Sequence, residues 1–257
     1  MKNQTKSMNN LNIESKYYNN EYNFKNVFSI PLILDQIFQF MVKDDKKRLS
    51  MCSKKLYQLY CKQVKKLEIK NYVEESNLEK IKFDKYIDLI ELDLEGCKNI
   101  KDFSFISKFE KLENLNTSFT YISDISFLEK NKNIKELNLY GCKNIKDFSF
   151  ISQLAKLENL NINGTKISDI SFLEKNKNIK VLYLEGCKNI KDFSLISKLE
   201  KLENLNISWT KISDISFLKK NKNIKKLDLS CCKNIKDYSF ISQLEKLENL
   251  NLSFINI

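Results

Sequence analysis

From Leu92 to Leu250 apolar and polar positions alternate in short bursts, and the bursts return at a fixed interval. In "ELDLEG" Leu92 and Leu94 alternate with Glu91, Asp93 and Glu95, the period-two pattern of a strand buried on one side. The equivalent leucines are Leu92, Leu115, Leu137, Leu160, Leu182, Leu205, Leu227 and Leu250, separated alternately by 23 and 22 residues. Each burst runs into a turn, either "GCKNIKDFS" or "GTKISDIS", and then into a second apolar segment such as "FISKFEKLENL". Cys97 stands three residues before Ile100 but Thr165 only two before Ile167, and this one residue accounts for the alternating period. So short a unit cannot bury its apolar face alone. The pattern predicts a solenoid of stacked coils whose strands form one parallel sheet.

Upstream of the regular coils, "VKKLEI" places Val64, Leu67 and Ile69 like a repeat strand and reads as a degenerate first repeat at Leu67. The step from Leu67 to Leu92 is 25 residues, so residues 70–86 must bulge or form a longer helix. The block over 27–66 reads as three helices. Ser29 caps the first, Pro31 sits in its opening turn, and Leu34, Ile37, Phe38 and Met41 follow at helical spacing. Asp44 or Asp45 caps a second helix with Leu49, Met51 and Cys52, and Ser53 opens a third through Leu56, Leu59 and Tyr60. Residues 1–26 are rich in Asn, Lys and Tyr, lack periodicity, and read as a disordered tail.

The net charge of +11 at first suggests a polyanion binder, but Arg48 is the only arginine, and Lys, Asn, Ile, Phe and Tyr crowd the whole chain. That is the codon bias of an AT-rich genome, and it weakens the nucleic-acid reading. The opening residues "MKNQTKSMNNLNIESKYYNN" show no apolar leader, and no apolar run approaches the ~18 residues of a membrane span. Seven cysteines without a leader fit free thiols in a reducing compartment, so a cytoplasmic location is expected. The chain has no histidine, which removes imidazole acid–base catalysis and the commonest zinc ligand. No enzyme and no cofactor are expected.

Two regular series test that expectation. Cys97, Cys142, Cys187 and Cys232 recur every 45 residues, two coils apart. With strands ~4.8 Å apart the thiols lie roughly 10 Å from one another, too far for a disulfide or a shared zinc. They read as small core residues, and Cys231, which replaces the glycine of Gly96, Gly141 and Gly186, as an exposed thiol. Asp102, Asp124, Asp147, Asp169, Asp192, Asp214 and Asp237 open the second segment of each coil, where a capping carboxylate explains why every coil needs one. The lysines of "EKNKNIK" and "KNIK" read as a solvated surface.

The two coil types resemble leucine-rich repeats over residues 87–257. The 23-residue type is similar to the cysteine-containing form L-x-x-L-x-L-x-x-C-x-x-I, and the 22-residue type, with "ISDISFL", to the short form of internalin-like proteins. The resemblance implies an α/β horseshoe with its parallel sheet on the concave face and eight regular repeats from residue 89. Three columns then flank the inward leucines, and together they hold Glu91, Glu136, Asp93, Asp228, Glu95 and Glu185 against one lysine, Lys226. A mildly acidic face argues against nucleic acid. Glu136, Tyr140, Tyr183, Glu185, Trp209 and Asp228 are the candidate contacts for a protein partner, since aromatics anchor such interfaces. Phe119, Trp209 and Phe254 serve either recognition or packing between turns.

The stretch "SIPLILDQIFQFMVKDDKKRLSMCSKKLYQL" resembles an F-box: Ile30 and Pro31 match its L-P opening, Leu34 and Ile37 the next apolar positions, and Leu49, Ser50, Cys52, Ser53 and Lys54 its closing run. Lys46 and Lys47 stand where that family has apolar residues. The resemblance implies a substrate receptor of a cullin ubiquitin ligase, with Ile30, Pro31, Leu34, Ile37, Leu49 and Cys52 binding a Skp1-like adaptor and the repeats holding an unidentified protein substrate. The other reading of 27–66 is a helical cap on the first coil, and of the whole chain a binding module without a ubiquitin role. F-box and repeat proteins of this composition are similar to those of social amoebae and of giant viruses that infect amoebae, where the location would be the host cytoplasm. At Leu250, Leu252 and Ile255 no divergent polar coil follows, so fraying, self-association or partner docking is expected there.

Overall fold

In the computed structural model, residues 13–14, 65–69, 83 and 86–255 are described. The helical block expected over 27–66, with Ile30, Pro31, Leu34, Ile37, Leu49 and Cys52, lies outside them apart from its last two positions.

Nine parallel strands follow one another in chain order: β2 (Lys66–Ile69), β3 (Glu91–Asp93), β4 (Asn114–Asn116), β5 (Glu136–Asn138), β6 (Asn159–Asn161), β7 (Val181–Tyr183), β8 (Asn204–Asn206), β9 (Lys226–Asp228) and β10 (Asn249–Asn251). Their register pairs each key leucine with the next, Leu67 with Leu92 and so on to Leu227 with Leu250. The segment at Leu67 thus supplies the first parallel strand of the described sheet. A tenth strand, β1 (Ile13–Glu14), pairs antiparallel with β2, and nothing in the sequence pattern pointed to it.

The α of the expected α/β class is corrected by the structure. The return segments are 3₁₀ turns, at Ser104–Lys108, Ser126–Glu129, Ser149–Gln153, Ser171–Glu174, Ser194–Lys198, Ser216–Lys220 and Ser239–Gln243, and no α-helix occurs among the described residues. A 3₁₀ turn rises ~2.0 Å per residue against ~1.5 Å for an α-helix. Four or five residues thus span the back of a coil in a 22- or 23-residue period that leaves no room for more. Each turn is opened by its aspartate: the N–H of Ser104 donates to Asp102 Oδ1 at 2.8 Å, and Asp124, Asp147, Asp169, Asp192, Asp214 and Asp237 accept in the same way. The capping role expected of this series is what the geometry shows.

Between sheet and turns runs one continuous core of leucine, isoleucine and phenylalanine, closed at the first coils by Phe83, which stacks on Phe105 at 4.5 Å and meets Phe109 edge-on. Two polar ladders stitch it. The column of the cysteines alternates with threonines, and each threonine-bearing coil offers one carbonyl to both: Thr117 O accepts from Thr120 Oγ1 (2.8 Å) and from Cys142 Sγ (3.0 Å). Ile162 O and Ile207 O do the same for Thr165 with Cys187 and Thr210 with Cys232. Burial pushes the Cys97 thiol up to about 12 and raises Cys142, Cys187 and Cys232 as well. They are inert packing groups. The second ladder is asparagine: buried Asn131, Asn176 and Asn221 each donate to two backbone carbonyls of the preceding coil.

Candidate interaction surface

A three-residue strand exposes its first and third side chains and buries the second. The outward residues therefore tile a face nine parallel strands long, and this face carries the candidate contacts. Its middle column is mostly self-satisfied. Asn116, Asn138, Asn161, Asn206, Asp228 and Asn251 each accept the N–H two residues on, ending the strand with a small Asx turn. Asp228 is held on both oxygens, by the Ser230 N–H at 2.9 Å and by Asn251 Nδ2 at 3.0 Å. Its charge lies on the face, but its lone pairs serve the fold.

Tyr183 is the exception in that column, since its side chain cannot accept in this way. The Glu185 N–H turns instead to Asn163 Oδ1 of the preceding coil at 2.6 Å, while Asn163 Nδ2 donates to Glu185 Oε2 at 3.3 Å. Asn163 is buried, unlike Tyr140 and Glu95 in the same column. One substitution thus compensates the other, and a tyrosine ring is placed on the face without an orphaned N–H. Tyr183 stands between two shallow grooves. One, of about 340 Å³, crosses β2 to β7 and includes Glu136; the other crosses β7 to β10 and includes Asp228.

The remaining candidates lie along the border where strands end. Four residues past each key leucine the backbone turns left-handed, with φ between 57° and 69°, and in every coil but the last its N–H donates to the next coil, as Gly96 does to Ser118 O at 2.8 Å and Trp209 to Ser230 O at 3.0 Å. Glycine takes this turn freely at 96, 141, 164 and 186, but Phe119, Trp209, Cys231 and Phe254 hold the other four. A side chain there costs about 1–2 kcal/mol, and a bulky one is a genuine outlier. Phe119, Trp209 and Phe254 are nevertheless 42%, 53% and 79% exposed. Phe119 packs in part, against Tyr140 and Gly141, Trp209 keeps about half of its surface free, and Phe254 lies in the last coil. Sequence reasoning saw Cys231 in the glycine column but not the three aromatics; the shared offset from the strand leucine was the signal. Phe119 lies over Gly141 and meets Tyr140 at 4.5 Å, and Tyr140 lies over Gly164, so an aromatic covers the glycine of the following coil.

Charge divides the molecule by side. At the strand-entry edge, carboxylates and lysines pair across coils: Glu113–Lys135 at 2.9 Å, Glu158–Lys180 at 2.7 Å and Glu203–Lys225 at 2.8 Å. The hydrogen-bonded lysines hold Glu158 and Glu203 below the usual carboxylate value. On the sheet face Glu136 accepts Asn159 Nδ2 at 3.0 Å, Asp93 accepts Asn116 Nδ2 at 3.0 Å, and Glu91 pairs with Lys66, so the acidic excess is mostly hydrogen-bonded within the face. Of the residues expected to act together, Tyr183 lines one groove with Glu136 and the other with Asp228, whereas Tyr140 and Trp209 belong to the border and Glu185 adjoins it.

Residues 132–175 and 155–198 each match the family model described as leucine-rich repeats in two copies, so residues 132–198 carry leucine-rich repeats. Its fold is similar to that of internalin C2 from Listeria monocytogenes, at 26% identity over 76% of this chain and 84% of that one, with a TM-score of 0.66. A second internalin of that organism, InlF, is similar at 21% identity over 78% and 70%, TM-score 0.59. The plant peptide hormone receptor RGFR1, in complex with RGF2, is similar at 17% identity over 67% of this chain and 33% of its own, TM-score 0.51. A search of curated proteins finds no match.

Proposed function

We propose that the protein is a polypeptide-binding solenoid, a role with which its leucine-rich repeats are consistent. One observation carries the reading. The inward positions repeat from coil to coil as leucine or isoleucine, with Thr117 the one exception, while the outward ones depart from a recurrent asparagine at chosen coils, to Glu91, Glu136, Val181 and Lys226 in the first column and to Tyr183 and Asp228 in the middle one. A surface that varies over an invariant frame is built for one particular partner. The receptor–hormone complex among the similar structures supports the same use of the fold. Replacing Tyr140, Tyr183, Glu136 and Glu185 together is expected to abolish partner binding, and replacing exposed Lys177 or Lys222 to leave it intact; retained binding in the four-residue variant rejects the sheet face.

In its finer form the proposal makes the protein a cytoplasmic ligase receptor, with residues 27–66 holding a Skp1-like adaptor and cullin ligase. It is supported by the order of an F-box-like block directly before repeats. Pull-down of Skp1 by the full chain, lost in Pro31→Ala/Leu34→Ala while the repeats stay folded, is the expected result. Without capture of Skp1, the reading reduces to the binding module.

A further inference from the structure

Among the described residues, the turn where strands end is the one place where the repeat departs from its most comfortable residue again and again. The departures share a chemistry: Phe119, Trp209 and Phe254 are aromatic and exposed. Glycine satisfies the same turn with the same hydrogen bond in four other coils, so the fold does not require them. Burial does not explain Trp209, which stays 53% exposed, whereas Phe119 rests on Tyr140 and Phe254 lies in the last described coil. Backbone strain kept without a packing return marks a functional surface.

We propose that this border, with Phe119 and Tyr140 at one station and Trp209 and Phe254 at another, is a docking rail for a positively charged polypeptide segment carrying apolar side chains. The inference rests on the polypeptide-binding reading above and adds where the segment lies and what charge it bears. The apolar side follows from the rings. The charge follows from the neighbours on the sheet side, where the outward positions of the nine strands hold seven carboxylates and two lysines, one of which, Lys66, pairs with Glu91. Glu95 and Glu185 stand one residue before the turns at Gly96 and Gly186, and Phe119 walls a hollow that also contains Asp93, Glu95 and a single lysine, Lys98. Beyond the rail, Lys143, Lys188 and Lys233 begin the lateral edge, so an acidic segment is drawn off the rail and away from the sheet. Between the two stations the backbone is bare. A Cβ built on Gly186 meets nothing nearer than Gly164 Cα at 3.9 Å, which leaves a gap that one incoming side chain can fill.

Trp209 is the only tryptophan of the chain, so its emission reports directly on the rail. The full chain is titrated with short synthetic peptides of alternating Lys–Leu, Glu–Leu and Lys–Ser composition, following Trp209 emission, acrylamide quenching and the anisotropy of labelled peptide. The Lys–Leu peptide alone is expected to shift the emission to the blue and to suppress quenching. Trp209→Asn and Phe254→Asn are each expected to weaken its binding about tenfold, as loss of an aromatic anchor does, with melting temperatures unchanged or raised because asparagine accepts the left-handed turn. Melting temperatures lowered by many degrees in both variants overturn the proposal, since the rings then hold the fold. Equal protection by the Glu–Leu peptide overturns the charge assignment. Protection of Trp209 by raising the concentration of the chain alone gives the rail to a second copy and also overturns it. Should no peptide protect Trp209 while replacement of Glu136 and Tyr183 alone, both off the rail, still removes partner binding, the rail fails and the polypeptide-binding reading stands.

Discussion

Asn131, Asn176 and Asn221 show how much a single side chain can carry in a repeat. Each sits inside "KNKNIK", where it reads as one more polar surface residue, yet each is buried and ties two carbonyls of the coil before it. For Asn176 those carbonyls, Ile151 O and Leu154 O, also accept one backbone N–H each, so they are not orphaned when the amide is removed. Asn176→Leu is therefore expected to cost about 1–2 kcal/mol, the net worth of the lost bonds, measured by urea denaturation. The cysteines give a second prediction at this scale. A thiol raised in the folded state, such as Cys97 at about 12 from an ordinary 9.0, keeps its proton longer than in the unfolded chain. The folded state then binds more protons above pH 9, and the stability present below that pH is lost as pH rises toward 12. Alkaline melting curves check this. Iodoacetamide at pH 8 should modify Cys231 and spare native Cys97, Cys142, Cys187 and Cys232, because only the first is not fully buried.

At the scale of the element, the return turns depend on their aspartates rather than on helix propensity. Asp147, Asp192, Asp214 and Asp237 are all held below their ordinary carboxylate value by the serine two residues on. Such groups contribute stability that is present above their unfolded value and lost as pH falls through the folded one. An acid-side loss below about pH 4 is expected, shallower in Asp147→Asn, which still accepts the bond; Asp147→Ala should lower the melting temperature by a few degrees at neutral pH. Strands and caps were legible in the sequence because both recur in phase, so Leu92 and Asp102 could be read against seven and six copies of themselves. The 3₁₀ geometry was not legible, since "SFISK" has apolar spacing compatible with either helix and only the space available decides. The face was half legible. Tyr183 and Trp209 stood out as departures, but the Asn163 exchange that accommodates Tyr183 is a hydrogen-bond choice between coils, and no one-dimensional pattern displays it.

For the whole molecule, the alternation of cysteine and threonine along one core column makes the coil pair, not the coil, the repeating unit. Removing the 45 residues Leu137–Val181 sets Thr120 against Cys187, the same neighbours as Thr165 and Cys187 in the parent. Removing the 22 residues Leu115–Glu136 instead sets Cys97 beside Cys142 and deletes the carbonyl that serves both ladder groups. The first deletion is expected to fold with a cooperative transition at a somewhat lower temperature, the second to lose more stability although it removes half as much chain. Circular dichroism melting of the two variants decides it, and equal losses per coil would show that the two coil types are interchangeable.

Among the described residues, the hydrogen bonds that join successive coils span 21 to 28 residues. Only the pairing of β1 with β2 reaches further, from Ile13 to Ile69. As the polypeptide leaves the ribosome, each coil finds its partner once the following two dozen or so residues have emerged, and the growing end always meets a finished surface. Assembly then keeps the order and pace of synthesis, and a pause in translation leaves behind a shorter solenoid rather than a tangled one.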